Sequence, residues 1–229
     1  MNFKEIKKHI LSEVEEAIDM AYKQGRESMM KIDDSPRPVP DDTLESKWEV
    51  RFYTGDYKER QRQANIDGAV CYVEQHFNAS SNPDANYAMV VVANNASQKS
   101  KSWGLHYALK ASELFDIRNN RLSIGGIGGR GNGNLIYTSM PAILLEPCFI
   151  SNPEQARLML EDSYQDKLAK VLADSIRVFF PDGGLVAFSI GHVGKTSNPN
   201  DRGASVAGSD LMESDIATKV MQKARKMLE

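Results

Sequence analysis

The sequence has little of the features that mark several large classes of protein. It contains only two cysteines, Cys71 and Cys148, and both lie in apolar runs without a Cys-x-x-Cys pair. We expect two buried free thiols, and any metal must then use other ligands. The formal net charge is −3, and no basic stretch is present, so nucleic acid is not an expected partner. No run of about eighteen apolar residues occurs, which predicts no transmembrane segment.

The beginning of the chain lacks the pattern of a secretion signal. Met1 to Glu5 lead directly into a charged amphipathic segment rather than an apolar signal-peptide core. We therefore expect synthesis in the cytoplasm without a signal peptide. A length of 229 residues with 41% hydrophobic content predicts one main soluble domain. The composition does not indicate an oligomeric state.

The order of apolar patterns along the chain predicts an appendage followed by an α/β domain. Apolar residues at helical spacing from Phe3 to Ala21 predict an amphipathic helix, and prolines among acidic residues at 33–42 predict a linker. We assign residues 1–46 to this appendage and residues 47–229 to the main domain. In the main domain, strand and helix patterns alternate, which predicts a mostly parallel twisted sheet with helices on both faces. The last helix is expected to start at an N-cap, Ser209 or Asp210.

Several familiar motifs are matched only in part. Glycines at 126, 128 and 131 fit G-x-G-x-x-G, but an extended segment, Asn134 to Tyr137, is predicted after them instead of a helix. We interpret residues 125–133 as a flexible loop that could also shape a groove. Gly194-Lys195-Thr196 ends like a phosphate-binding loop, but Ser189 stands where that motif needs glycine. No Gly-x-Ser-x-Gly elbow is present, so a serine hydrolase is not indicated.

Two of the four histidines are placed where a parallel sheet binds ligands. His76 and His192 each follow a predicted buried strand, and Glu213 is expected in the first turn of the last helix. If the two strands are neighbours, these side chains form a His₂Glu set, the ligand type of catalytic zinc. The absence of sulfur ligands favours Zn²⁺ over an iron or copper centre, and other divalent metals stay open as alternatives. Taken singly, His192 could be an ordinary loop residue and Glu213 could close a capping box. His9 and His106 fall in predicted helices.

Glu146 closes the predicted buried strand in Pro141 to Ile150. An unpaired charge at the end of an apolar run is costly to bury, so this carboxylate is neutral, paired or chemically active. Burial would raise its pKa toward neutrality, as proton transfer requires. The alternative is a solvent-exposed strand end, turned outward by Pro147.

Four blocks of this sequence resemble the type 3 family of zinc-dependent N-acetylmuramoyl-L-alanine amidases. They are Gly191-His192 with Glu213-Ser214-Asp215, Thr54 with Arg62, Ala64 and Asn65, His76-Phe77-Asn78-Ala79, and Pro141 to Glu154 with the sequence PAILLEPCFISNPE. The family begins with the Gly-His block, whereas this chain has it last, in preserved cyclic order. We therefore interpret residues 48–229 as a circularly permuted amidase-type fold.

The resemblance implies a function and a set of site residues. His76, His192 and Glu213 would bind zinc, and Glu146 would be the catalytic carboxylate. The implied reaction is hydrolysis of the amide between N-acetylmuramic acid and L-alanine in peptidoglycan. Two blocks depart from the family, since Gly-His-Gly-Gly is here Gly191-His192-Val193-Gly194 and Thr-Arg is Thr54-Gly55. These departures concern substrate contacts more than the metal ligands.

The absence of a signal peptide favours a phage endolysin released through a holin. Two alternatives stay open at this point. A non-catalytic wall-binding or virion protein on the same fold would lack zinc or would hold it without hydrolysis. A zinc peptidase would cleave peptides rather than the sugar-peptide amide.

Overall fold

The computed structural model describes residues 47–117, 120–126 and 128–229. The predicted N-terminal helix and linker, residues 1–46, lie outside the described residues, and so does His9. The boundary between appendage and main domain therefore stays a prediction. Among the helices that are described, none has both the length and the apolar character needed to cross a bilayer.

The described residues form one six-stranded sheet and five helices. The strands are β1 Trp48–Phe52, β2 Cys71–Gln75, β3 Ala88–Val92, β4 Asn120–Ile124, β5 Ala142–Glu146 and β6 Gly184–Ile190. The helices are α1 Tyr57–Ile66, α2 Gln98–Leu114, α3 Pro153–Leu160, α4 Asp162–Phe179 and α5 Glu213–Leu228. The sheet has the order β1-β6-β2-β5-β3-β4.

Most neighbouring strands of the sheet are parallel. β1, β6, β2 and β5 run in the same direction, whereas β3 is antiparallel to β5 and parallel to β4. The prediction of a mostly parallel α/β sheet is confirmed. The carboxyl ends of β6, β2 and β5, three adjacent strands, consequently meet at one edge.

Alternating residues of the central strands supply two buried layers, one on each face of the sheet. On one face, Val73 and Phe188 belong to a large core that also contains Trp103 of α2 and Leu172 of α4. On the other face, a smaller cluster contains Tyr72, Ala187 and Met89 with Ala64 of α1 and Leu135. Helices therefore cover both faces, as predicted.

The start of α3 follows its local sequence. The Asn152 side chain accepts hydrogen bonds from the backbone N–H groups of Glu154 and Gln155, at 3.0 and 3.2 Å. Pro153 occupies the first helical position, where its missing N–H costs nothing. α3 therefore begins at Pro153, and a separate helix, α4, begins at Asp162.

The predicted start of the last helix is wrong. α5 begins at Glu213, and neither Ser209 nor Asp210 is its N-cap. An antiparallel bridge between Ser205 and Met212 holds the intervening residues in a loop. The Asp215 carboxylate accepts a hydrogen bond from the Met212 N–H at 2.8 Å, so Asp215 performs the capping role considered for Glu213. The Glu213 side chain is therefore available for the site.

Two segments near the glycine-rich loop also differ from prediction. Asn134 to Tyr137, predicted as extended, forms successive turns in which Leu135 and Ile136 N–H groups both bond to the Asn132 carbonyl. β4 was not predicted, because its sequence is largely polar. That composition is tolerated because β4 is an edge strand paired only with β3.

Candidate metal centre and active site

Three predicted site residues lie where adjacent parallel strands end. His76 directly follows β2, His192 comes two residues after β6, and Glu146 is the last residue of β5. Gln75 pairs in register with both Ile190 and Leu145. The parallel pairing thus brings the three side chains to one edge of the sheet, the usual ligand-binding edge of an open α/β fold.

His76, His192 and Glu213 converge on one point. The Glu213 Oε1 atom lies 3.1 Å from His76 Nδ1 and 3.2 Å from His192 Nε2. One nitrogen or oxygen from each residue lies within 4.8 Å of the other two. The structure therefore brings together the three residues predicted as a ligand set, although they come from two strands and a helix.

Two glycines make room for this cluster. A methyl group at Gly191 would lie 2.3 to 2.5 Å from ring atoms of His76, and one at Gly203 would lie 2.5 Å from Glu213 Oε2. Gly203 also has a φ of +78°, which other residues rarely adopt. Between them, His192 itself has a φ of +67°, an unusual backbone conformation of the kind that concentrates at functional sites.

Each histidine makes a second contact with a carboxylate outside the cluster. Glu74 Oε1 lies 2.8 Å from His76 Nε2, and Asp201 Oδ1 lies 2.9 Å from His192 Nδ1. Carboxylates in these positions commonly orient metal-binding histidines. Sequence analysis missed both residues. The sequence did contain a signal for Glu74, because it is a charged residue directly after the apolar residues Cys71 to Val73, much as Glu146 follows an apolar run.

The Glu213 carboxylate is buried yet strongly favours its charged form. Burial raises its pKa, but hydrogen bonds with His192 and His76 outweigh burial and hold the pKa far below its usual range. The Phe77 and Ala204 N–H groups also donate to this carboxylate, at 3.0 and 3.2 Å. A fixed, ionised carboxylate beside two imidazoles is a suitable ligand for a divalent cation.

The same contacts alter the protonation of His76. Burial lowers its pKa, but hydrogen bonds to Glu213 and Glu74 outweigh that effect and raise the pKa to about 10. Without a cation, this imidazole therefore carries a proton at neutral pH. A metal ion that binds through the nitrogen facing Glu213 must displace a proton.

Glu146 has the environment of a proton-transfer carboxylate. Its Oε2 atom is buried and has no hydrogen-bond partner within the described part of the chain. Burial raises the pKa of Glu146 to about 8, against the opposing influence of the His76 charge. Glu146 pairs with Met89 of β3 and is half-buried, so its side chain is not the fully exposed strand end of the alternative interpretation.

A cleft of about 1100 Å³ lies over these residues. His76, His192, Glu213 and Glu146 all line it. The glycine-rich loop contributes one wall through residues 128–131 and 133. The segment was predicted to be a flexible loop that could also shape a groove. In the structure these residues form a loop and line the cleft. The remaining described histidine, His106, lies on α2 with its ring against Phe179.

Comparison with known proteins gives a consistent set of similarities. A family profile described as N-acetylmuramoyl-L-alanine amidase (Amidase_3) matches residues 6–178. That range contains His76 and Glu146, begins inside the predicted appendage and ends before His192. An endolysin of Bacillus phage SPP1 is 30% identical over 123 residues, or 52% of this chain. The matched region is 43% of that endolysin, so the chain spans less than half of its length.

Two solved structures of amidases are partly similar. The catalytic domain of CwlV, an N-acetylmuramoyl-L-alanine amidase from Bacillus (Paenibacillus) polymyxa var. colistinus, has a TM-score of 0.47 and 21% identity. An N-acetylmuramoyl-L-alanine amidase from Clostridium difficile 630 has a TM-score of 0.48 and 24% identity. Each alignment covers 55% of this chain and 66% of the other.

Proposed function

Because the chain belongs to the N-acetylmuramoyl-L-alanine amidase family, we propose that it hydrolyses peptidoglycan at the amide between N-acetylmuramic acid and L-alanine. The observation that carries this proposal is the convergence of His76, His192 and Glu213 in the same cleft as Glu146, whose Oε2 atom is buried. This arrangement combines a candidate metal centre with a carboxylate of raised pKa. Together they match the chemical needs of amide hydrolysis.

We propose that the metal is zinc. His76 Nδ1, His192 Nε2 and the Glu213 carboxylate would hold it, a nitrogen and oxygen donor set typical of catalytic zinc. When bound, zinc would supply a Lewis acid and would lower the pKa of water to about 7. The two outer carboxylates, Glu74 and Asp201, would keep the imidazoles oriented toward the metal.

Glu146 is proposed as the general base and general acid. Its unpartnered Oε2 can accept the proton of the attacking water and return it to the nitrogen of the leaving L-alanine. A pKa near neutrality suits both transfers, because the group must gain and lose the proton in one cycle. The products are the free lactyl carboxyl of muramic acid and a new L-alanine amino terminus.

Analysis of zinc and products tests this function directly. We expect purified protein to hold about one zinc per chain and to release both lactyl carboxyl groups and L-alanine amino termini from peptidoglycan. Amino termini without lactyl groups would indicate a peptidase instead. Folded protein with zinc but no products, or without zinc, would indicate a non-catalytic wall-binding protein.

We further propose that the protein acts on the cell wall as a phage endolysin. The similarity to the SPP1 endolysin supports this assignment. Release through a holin stays a prediction from the sequence.

The order of elements supports the proposal of circular permutation. α5 ends beside β1, where the Glu229 carboxylate accepts a hydrogen bond from the Val50 N–H at 3.1 Å. A short turn at residues 181–183 joins α4 to β6. The family profile also stops at residue 178, before β6. A profile aligned in the family's linear order would not include the Gly191-His192 block, which lies at the opposite end of this chain.

A rearranged chain should test the permutation. We expect a chain with Glu229 joined to Met1 and opened between Asp182 and Gly183 to melt cooperatively and bind about one zinc. All residues are kept, and the new break lies in a turn. A control opened inside β3, between Val91 and Val92, should not fold, because it interrupts a buried strand. Failure of the first chain to fold or bind zinc would refute the permutation.

A further inference from the structure

A buried network of charged and polar side chains surrounds Glu74, next to the proposed metal centre. The proposed roles of the three metal ligands do not explain why this network is present. Glu74 is the last residue but one of β2 and is completely buried. Its Oε1 atom accepts hydrogen bonds from Arg60 Nη2 at 2.5 Å, Asn134 Nδ2 at 2.5 Å and His76 Nε2 at 2.8 Å. The Tyr72 hydroxyl donates to Oε2 at 3.3 Å. Four side chains thus converge on one carboxylate beneath the cleft.

Stability alone does not explain this network. Arg60 is also buried, with an exposed fraction of 1%, and within the described residues its Nε and Nη1 atoms have no hydrogen-bond partner. Removing two such charges from water is expensive, and apolar residues of similar volume often stabilise a core equally well or better. The feature that an apolar pair could not supply is a hydrogen-bond acceptor aimed at His76.

The direction of that hydrogen bond determines which nitrogen of His76 can bind metal. An ionised carboxylate accepts hydrogen bonds and cannot donate them, so His76 Nε2 must carry a proton. In the neutral ring, the lone pair is then on Nδ1, which faces Glu213 at 3.1 Å. His192 is oriented in the opposite sense, with Nδ1 on Asp201 and Nε2 facing Glu213.

We infer that Glu74 is a positioning residue that fixes His76 in the tautomer and ring orientation needed for zinc binding through Nδ1. Arg60 and Asn134 donate to the same oxygen atom as His76 and hold the Glu74 carboxylate in place. The inference rests on the proposed metal centre. It adds to that centre a buried support on β2, α1 and the turn after the glycine-rich loop.

Zinc affinity of the full chain provides the first test. Glutamine at position 74 keeps the shape but can donate as well as accept, so it no longer dictates the tautomer. We expect Glu74→Gln to weaken zinc binding about 10- to 100-fold, measured by competition with a chelator. The single change leaves the Arg60 charge without its carboxylate partner. The double variant Arg60→Met/Glu74→Gln removes both charges, and we expect the same loss of zinc affinity.

A matched control separates positioning from general damage to the core. Tyr72→Phe removes another hydrogen bond of Glu74 but leaves its contact with His76. We expect this variant to keep the zinc affinity of the wild type. Thermal melting of the metal-free proteins identifies which variants are folded.

A spectroscopic readout reports the tautomer directly. In zinc-loaded protein labelled with ¹⁵N-histidine, we expect His76 to show a protected Nε2–H and a metal-bound Nδ1. At saturating zinc, the double variant should lose that protection. The absorption spectrum of the Co²⁺-substituted protein should change as well, because ligand orientation changes.

The outcomes separate this inference from the proposed function. A folded double variant with unchanged zinc affinity and an unchanged Nε2–H signal would overturn the role of Glu74, even in an active amidase. Wild-type protein without any zinc affinity would overturn the metal centre itself. Weakened affinity together with a lost Nε2–H signal supports Glu74 as the positioning residue.

Discussion

Replacing His76 with alanine is expected to remove zinc from the protein and to abolish release of lactyl carboxyl groups from peptidoglycan. His76 would supply one of the three proposed zinc ligands, and its ring lies between Glu74 and Glu213. Metal-ion catalysis contributes several kcal/mol, so the rate should fall by at least about 10³-fold. Zinc content by elemental analysis and product release are measured on the same samples.

A second histidine provides the control for this result. His106 lies on α2, outside the cleft, so His106→Ala should keep both zinc and activity. If His76→Ala retained full zinc content and activity in a folded protein, the assignment of the metal centre would be wrong. Equal losses in both variants would indicate a general effect on folding.

Replacing Glu146 with glutamine should separate metal binding from proton transfer. Glutamine has nearly the same shape but cannot accept the proton of the attacking water. We expect zinc content to stay unchanged while the hydrolysis rate falls by about 10² to 10⁴. Glu113→Gln, which changes an exposed carboxylate on α2, is the matched control. An active Glu146→Gln protein would exclude Glu146 as the proton-transfer residue.

The raised pKa of Glu146 gives the same variant a second readout. In metal-free folded protein, the Glu146 carboxyl group has a pKa of about 8 and is protonated below that pH. In the unfolded chain its pKa is near 4.5, so the group loses its proton at a lower pH. The stability of the wild type should therefore fall, relative to Glu146→Gln, as pH rises from about 4.5 to 8. Melting temperatures with a chelator at pH 5 and pH 9 measure this difference. A constant difference between the two proteins would contradict the raised pKa.

The positions of the side chains in the candidate metal centre could be predicted because they depend on simple rules. His76 and His192 each follow a short buried strand, and parallel strands end at the same edge. Once β2 and β6 are neighbours, the two rings must be close. The strand that ends with Glu146 lies on the other side of β2, so its carboxylate joins them.

Other features depend on contacts that local sequence does not encode. The true start of α5 is set by a bridge across the preceding loop, which overrides two better N-cap residues. Asp201 reaches His192 only because that loop folds back over the cleft. The turns at Asn134 to Tyr137 are stabilised by two side chains of α1 that are distant in sequence: Gln61 Oε1 accepts a hydrogen bond from the Tyr137 N–H, and Asn65 Nδ2 donates one to the Tyr137 carbonyl.

The separation of the proposed metal ligands along the chain has a consequence for the whole protein. His76 and Glu213 lie 137 residues apart, and every element from β3 to β6 lies between them. A bound cation would act as a cross-link that closes this long loop and reduces the entropy of the unfolded chain. Chelation should therefore loosen the sheet as a whole and leave the protein more vulnerable to proteases, beyond its effect on catalysis.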